Sequence, residues 1–360
     1  MNEQDAISIC QRFENERTTR RNWDHQWEEI ALYTMPGKAD FITERSKGDR
    51  SRQRRIFDPT AGVSNHTLSS HMHTAMTSPS SPWFELKFRT PDANKQDRAK
   101  EWIEDCTTRM FNAINDSTFV SAITELYQNL CAFGTACIEV THSNEPDEGF
   151  QLVFRSIPLG SLVFFENIHG RVDTVMHEVK LTARQAKQQF GDKAPEKVEQ
   201  RFKESPDEKV TFLHVVKPNP DFDPRRELNA DNRKYESAWI CDKKIVTQAG
   251  YYELPFMVPR WSKMTTEPYG FGPGLLALPD VQTLNEAKRL ELRSWEKAID
   301  PPMMGMSGAV VGDLHLEAGG FTSVRDVRAL APMGDQANWQ AVQIKSEEVR
   351  KNIQSVYLID

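Results

Sequence analysis

The sequence predicts an α+β fold, with long helices at both ends of the chain and an antiparallel, hairpin-built sheet between them. Three observations predict it. Apolar residues recur at helical spacing through residues 4–34, 58–77, 95–116, 118–132 and 280–300. Between Ala136 and Trp261 the texture changes to short β-type runs separated by turns. No internal repeat or low-complexity tract breaks this order, and 360 residues suffice for two or more domains with real cores.

Residues 4–34 read as one long helix with Cys10, Phe13, Trp23, Trp27, Ile30 and Ala31 on one face, ended by Met35-Pro36-Gly37. A polar loop follows at 37–55. It carries Arg45, Lys47, Arg50, Arg52, Arg54 and Arg55 against Asp49, which suits either a solvated loop or a contact with phosphate or an acidic surface. Asp58 is expected to cap a helix running to about Thr77. His66, His71 and His73 fall on it pointing in different directions, a poor geometry for a shared metal. The alternation at 83–88 reads as a strand, and residues 95–116 as a helix with Trp102, Ile103, Cys106, Met110 and Ile114 on one side. Gly134 is expected to end the 118–132 helix. Strands are predicted at 136–141, 150–157, 162–166, 171–179 and 210–216, with a short helix at 182–190. A hairpin at 235–241 and 244–248 turns on Asp242-Lys243, and a last strand covers 255–261. Residues 217–234 have the composition of an exposed loop.

The charge of −7 argues against a protein that coats nucleic acid through bulk basicity. No apolar run approaches the roughly 18 residues of a membrane span, and the N-terminus has no apolar signal core. Five scattered cysteines without a CxxC read as buried free thiols in a reducing compartment.

The stretch 269–304 stands out. After a Gly-Pro-Gly turn, no Gly or Pro interrupts 280–300, and Pro301-Pro302 stops the helix. Val281, Leu284, Leu292, Trp295 and Ile299 form a narrow apolar seam, and Lys288 sits inside it. Charges of both signs, Arg289 among them, fill the flanks. Such a helix suits either side-by-side packing with copies of itself or the role of an ordinary surface helix, and the pattern alone favours neither. Residues 301–340 are loop-rich and too short to bury a core alone. Residues 345–360 return to helix, with Val349, Ile353, Val356 and Tyr357 on one face, and read as stopping in mid-helix, as in a fragment of a longer chain.

Catalytic signatures are missing: no GxxxxGK[ST], GxSxG, HExxH or Rossmann-type GxGxxG. In Gly270-Phe271-Gly272-Pro273-Gly274, Pro273 removes a backbone donor that a phosphate cradle needs, so a turn is expected. Asp221, Asp223 and Asp231 share one loop. They define an alternative reading, a metal-dependent nucleic-acid-processing enzyme gripping DNA with the 45–55 cluster. No cofactor is expected.

Several stretches in order resemble the portal proteins, or head-to-tail connectors, of short-tailed bacteriophages. They are Arg21-x-Trp23 and Trp27-x-x-Ile30 before Met35-Pro36; Ile56-Phe57-Asp58-Pro59-Thr60-Ala61; and Thr77 through Phe84. Leu126-Tyr127-x-x-Leu130 with Phe133-Gly134-Thr135-Ala136 follows, then Tyr269-Gly270-x-Gly272-Pro273, Leu278-Pro279-Asp280 and Leu284-Asn285. The resemblance covers nearly the whole chain. It implies a wing domain at 1–265, a first stem helix at 266–300, a clip at 301–340 and the start of a second stem helix at 341–360, the crown being absent. It further implies a non-enzymatic homo-oligomeric ring, as a rule a dodecamer, at one capsid vertex of the virion, assembled in the host cytoplasm. Its implied partners are double-stranded viral DNA in the channel, the terminase large subunit, capsid and scaffolding proteins and a tail adaptor protein. Val281, Leu284, Lys288, Arg289, Leu292 and Trp295 become stem or channel candidates, and Met303, Met304, His315 and Phe321 clip docking candidates.

Overall fold

The computed structural model describes residues 3–38, 41, 51–90, 92, 94, 96–145, 149–226, 232–299, 303–305, 330–332 and 339–359. The fold is α+β. The first helical stretch is two helices, α1 (Glu3–Thr19) and α2 (Arg21–Thr34), rather than one. The break falls at Arg20, whose buried guanidinium donates to the carbonyls of Leu159 (3.1 Å), Gly160 (3.0 Å) and Leu162. Helical periodicity does not report such a side-chain pull, so the sequence reads straight through it.

Helix α3 (Thr60–Met76) follows the capping segment. Asp58 sits one position before the cap, where its carboxylate accepts from the Thr60 amide at 3.0 Å. The segment 83–88 is extended but pairs with no strand among the described residues, contrary to expectation. The Leu86 amide is taken by Thr107 Oγ1 (3.4 Å) and the Phe88 amide by Asn94 Oδ1 (2.8 Å). Alternation predicts an extended backbone, not a partner. Helix α4 (Asp97–Asn115) lies over this segment. It has the expected amphipathic pattern yet buries no residue, and Trp102 is 60% exposed.

Helix α5 (Phe119–Phe133) is the buried centre of this half, with ten buried residues, and Gly134 ends it at φ 72° as expected. Strands β1 (Ile138–Glu145) and β2 (Gly149–Ser156) form an antiparallel hairpin. Then come β3 (Leu162–Glu166), β4 (Val172–Thr182), α6 (Ala183–Phe190), α7 (Glu196–Glu204), β5 (Lys209–Pro218), β6 (Tyr235–Cys241) and β7 (Lys244–Tyr251). The β3–β7 strands make one antiparallel sheet in sequence order. The β6–β7 turn falls on Asp242 and Lys243, both at positive φ, the twist-compatible form of a two-residue hairpin. The expected last strand shrinks to β8 (Phe256–Met257), which pairs with β1. Helix α7 was not expected; its high charge hides a single buried anchor, Val198.

One face of the five-stranded sheet presents Val163, Met176, Leu213, Val215 and Ile240 to Ala6, Ile9 and Phe13 of α1. Ile157, Leu162, Phe164, Val175 and Val216 instead join Trp27, Ile30 and Phe133 in the core that also holds Tyr269. The long helix α8 (Pro273–Ile299) begins seven residues before the expected 280 and runs through Pro279. At 27 residues it extends about 40 Å. The strands β9 (Met303–Gly305) and β10 (Leu330–Pro332) pair antiparallel. The expected β-runs at 310–311 and 322–327 lie outside the described residues. Helix α9 (Trp339–Val356) closes the described chain. It does not stop in mid-helix. Leu358 takes φ 56°, the Leu358 amide donates to Ser355 O (2.9 Å) and the Ile359 amide to Gln354 O (2.9 Å), a Schellman ending.

All five cysteines are free, and Cys131, Cys137 and Cys241 are buried. Among the described residues no helix is long and apolar enough to cross a membrane.

Candidate functional site

The site is the long helix α8 with the parts that anchor it. Its first turn is fixed by backbone packed on backbone. A Cβ on Gly274 would lie 2.2 Å from Ala132 O, and one on Gly272 would lie 2.6 Å from Gly134 N. The Gly270 amide donates to Thr135 Oγ1 at 2.7 Å and the Phe271 amide to Ser262 O at 2.7 Å. These amides are occupied by the protein itself, so the glycine string is a packing joint, as the turn reading expected. Tyr269 sits edge-on to Trp27 at 5.0 Å and to Phe164 at 5.0 Å. The joint thus brings together three stretches far apart in sequence: the Trp23–Trp27 face of α2, the Phe133-Gly134-Thr135 end of α5, and 269–274.

From the joint to Asn285, α8 is held in the core. Ala277, Val281 and Leu284 pack with Leu68 of α3, Cys131 of α5, and Ile353 and Tyr357 of α9. Each buried Val or Leu contributes about 1.5–3 kcal/mol. Pro279 forgoes one backbone hydrogen bond, which this packed stretch absorbs. Asn285, which the sequence marks only as part of the Leu284-Asn285 motif, clamps the segment before α3. Its Oδ1 accepts from the Phe57 amide (2.7 Å) and its Nδ2 donates to Arg55 O (3.1 Å). A second tie comes from α9, where Arg350 donates twice to Asp58 Oδ2, at 3.1 and 2.7 Å.

Burial works to raise the Asp58 carboxyl, but hydrogen bonds from Thr60 and Arg350 outweigh it and hold its pKa below the usual carboxylate range. A lowered pKa means that this stabilisation is complete above the unfolded carboxylate range, near pH 4, and lost as pH falls below it. Arg350→Ala is expected to lose roughly 1.5–3 kcal/mol at pH 7. Chemical unfolding at pH 7 and pH 3 checks this, since the gap to the parent chain should shrink at pH 3.

Past Asn285 the helix changes character. Lys288, odd in an apolar seam, donates to Glu291 Oε2 at 2.5 Å, and Glu291 is buried. Arg289 pairs with Glu286 in the exposed flank. Leu292 and Trp295 are about half exposed, Ile299 is 85% exposed, and Leu290 is exposed on the opposite side. Of the seam, therefore, Val281 and Leu284 meet this chain's own core, while Leu292 and Trp295 do not.

The family model described as "Bacteriophage head to tail connecting protein" matches residues 6–360. The chain belongs to this family. It is 28% identical over 325 residues to the "Probable portal protein" of Bordetella phage BPP-1, covering 88% of this chain and 57% of that protein. It is 29% identical over 299 residues to the "Portal protein" of Salmonella phage epsilon15, covering 81% of this chain and 52% of that one. The chain thus spans just over half the length of these relatives.

The other sequence candidates of this connector-family chain fall as follows. Arg52 is not part of a solvated cluster: it is buried and paired with Glu28. Arg54 and Arg55 are exposed. Arg45, Lys47, Arg50, His315 and Phe321 lie outside the described residues, as does Asp231. Met303 and Met304 are placed by backbone alone, in β9. Asp223 organises its own loop, accepting from the Arg225 amide at 3.0 Å, with Arg226 at 3.9 Å. No metal-holding group of three His, Cys, Asp or Glu occurs among the described residues.

One buried polar cluster escaped the sequence reading. His214 and His177 are register partners on β5 and β4. His214 Nε2 lies 2.9 Å from Ser237 Oγ, its ring stacks on Trp239 at 4.3 Å, and its Nδ1 is 3.8 Å from Glu139 Oε1. Glu139, on β1, accepts from Arg155 Nε at 3.1 Å. The Ser-His-Glu order invites a hydrolase reading, but 3.8 Å exceeds a hydrogen bond. His214, Ser237 and Glu139 are all buried, leaving a substrate no approach. The cluster joins the two sheets.

Proposed function

We propose that this chain is a structural subunit of a portal ring at one capsid vertex, with α8 as the strut that meets neighbouring copies. The observation that carries this reading is the split in α8. Its first half is locked into the core, and its second half leaves Leu290 exposed on one side and Leu292, Trp295 and Ile299 on the other. A closed ring needs two different contact surfaces on each copy, and uncovered apolar groups on two sides of one helix supply them. Residues 1–265 then form the wing, 266–300 the first stem helix, 301–340 the clip and 341–360 the start of the second stem helix. In this reading the ring, as a rule of twelve copies, guides viral DNA during packaging and ejection. It docks the terminase large subunit, capsid and scaffolding proteins and a tail adaptor, and it performs no chemistry of its own. The enzyme alternative gains no support, since the Asp223 carboxylate is committed to its own turn.

Trp295→Asp tests the strut. It should abolish or markedly reduce ring formation in the full-length protein, read by light scattering, while the thermal unfolding midpoint stays within a few degrees. Rings of unchanged mass would remove α8 from the subunit contact.

A further inference from the structure

The basic segment before α3 remains without a role, and the fold places it in an unexpected position. Residues 53–57 do not hang from the sheets. They lie against α8, where Asn285 bonds both the Arg55 carbonyl and the Phe57 amide. Arg52 is tied to Glu28 on one side of the segment and Asp58 to Arg350 on the other. The backbone under Arg54 and Arg55 is therefore held at three points. Both side chains are exposed, and neither makes an ion pair or hydrogen bond among the described residues. Most arginines nearby are committed: Arg52 to Glu28, Arg289 to Glu286 and Arg350 to Asp58. Asn285 precedes Lys288 and Arg289 by three and four residues, so the segment sits one turn away on the same side of the helix. Arg54 and Arg55 are thus carried on a segment bound to α8 one turn before Lys288 and Arg289, whose own charges are paired with Glu291 and Glu286.

We propose that Arg54 and Arg55, fixed to α8 by Asn285, are a contact for the phosphate backbone of duplex DNA. Arginine's planar fork suits phosphate oxygens, and a backbone already held in place forgoes less order on binding. The contact reads no base sequence. It is also weak by design: two phosphates per copy add little affinity through counterion release, which suits DNA that must keep moving. An acidic face of a second copy is the competing occupant. The overall charge of −7 makes copies repel one another on average, but acidic patches could still dock. The proposal rests on reading α8 as a stem helix near the DNA path.

The test is binding of mixed-sequence duplex DNA to the full-length protein by fluorescence anisotropy, from 20 to 200 mM salt. The pair Arg54→Gln/Arg55→Gln should weaken binding on every sequence and reduce the slope of log K against log salt by about two for each copy engaged with the duplex, roughly one per arginine. The pair Arg225→Gln/Arg226→Gln removes the same charge from the β5–β6 loop and should leave the slope near the parent's. Equal slopes for all three proteins overturn the proposal. So does a loss of oligomer mass in the first pair with an unchanged slope, which would assign the arginines to a neighbouring copy. Light scattering on the same samples separates the two readings. Rings with an unchanged slope overturn the DNA contact alone, whereas a reduced slope without rings supports the contact and counts against the ring reading.

Discussion

Gly134→Ala should cost at least about 3 kcal/mol, enough to remove much of the stability of an ordinary domain. Two terms add. Gly134 holds φ 72°, where a Cβ costs roughly 1–2 kcal/mol. The new Cβ would also meet Gly272 N at 2.3 Å, Gly270 O at 2.5 Å and Phe271 C at 2.5 Å. These are backbone atoms at the root of α8, and no rotamer can move them away. Gly170→Ala separates the terms. Gly170 has nearly the same φ, 71°, but its added Cβ meets only the flexible end of Lys263, at 3.5 Å. It should cost only about 1–2 kcal/mol. Urea unfolding of both variants checks the difference, and equal losses would show that the joint relaxes.

Acid should destabilise the fold steeply because of His177 and His214. Burial drives both imidazoles down to about 3, with Arg155 adding to the effect and His177 further lowering His214. The unfolded chain takes up protons as pH falls below about 6.5, and the fold refuses them until near 3. Stability is therefore complete above that window and is lost as pH falls through it. Each histidine sets a slope of up to about 1.4 kcal/mol per pH unit. The two face each other across β4 and β5 and titrate as a pair. The charges around them are Glu139 and Arg155, with Ser237, Trp239 and Phe256 also against His214. Unfolding free energy measured between pH 7 and 5 should show this slope in the parent chain. A His177→Gln/His214→Gln variant should lose most of it. An equal slope in both would place the proton uptake elsewhere.

Much of the architecture was legible because local rules and tertiary structure agree. The turn at Asp242-Lys243, the glycine end of α5 and the strand at 162–166 each follow from chemistry within a few residues. The illegible parts depend on distant partners. Alternation at 83–88 predicted a strand, yet Thr107 and Asn94 side chains take the amides a strand would have shared. Arg20 splits the first helix by reaching the β3 approach. Lys288 looked misplaced until Glu291 supplied its partner. Asn285 was visible only within the Leu284-Asn285 motif and its role was not, since a clamp on another segment's backbone leaves no periodicity. The seam on α8 was visible, but spacing could not tell that Val281 and Leu284 serve this chain's own core while Leu292 and Trp295 stay open. Ordered short motifs revealed the family because several of them meet at one joint, around Gly134 and Gly272.

Negative-stain images of the full-length protein test most directly whether α8 is the proposed strut between copies of a ring. Closed rings with a central hole, lost in Trp295→Asp while the protein stays folded, are the predicted result. A monodisperse monomer at micromolar concentration, with no rings in any class average, would contradict it.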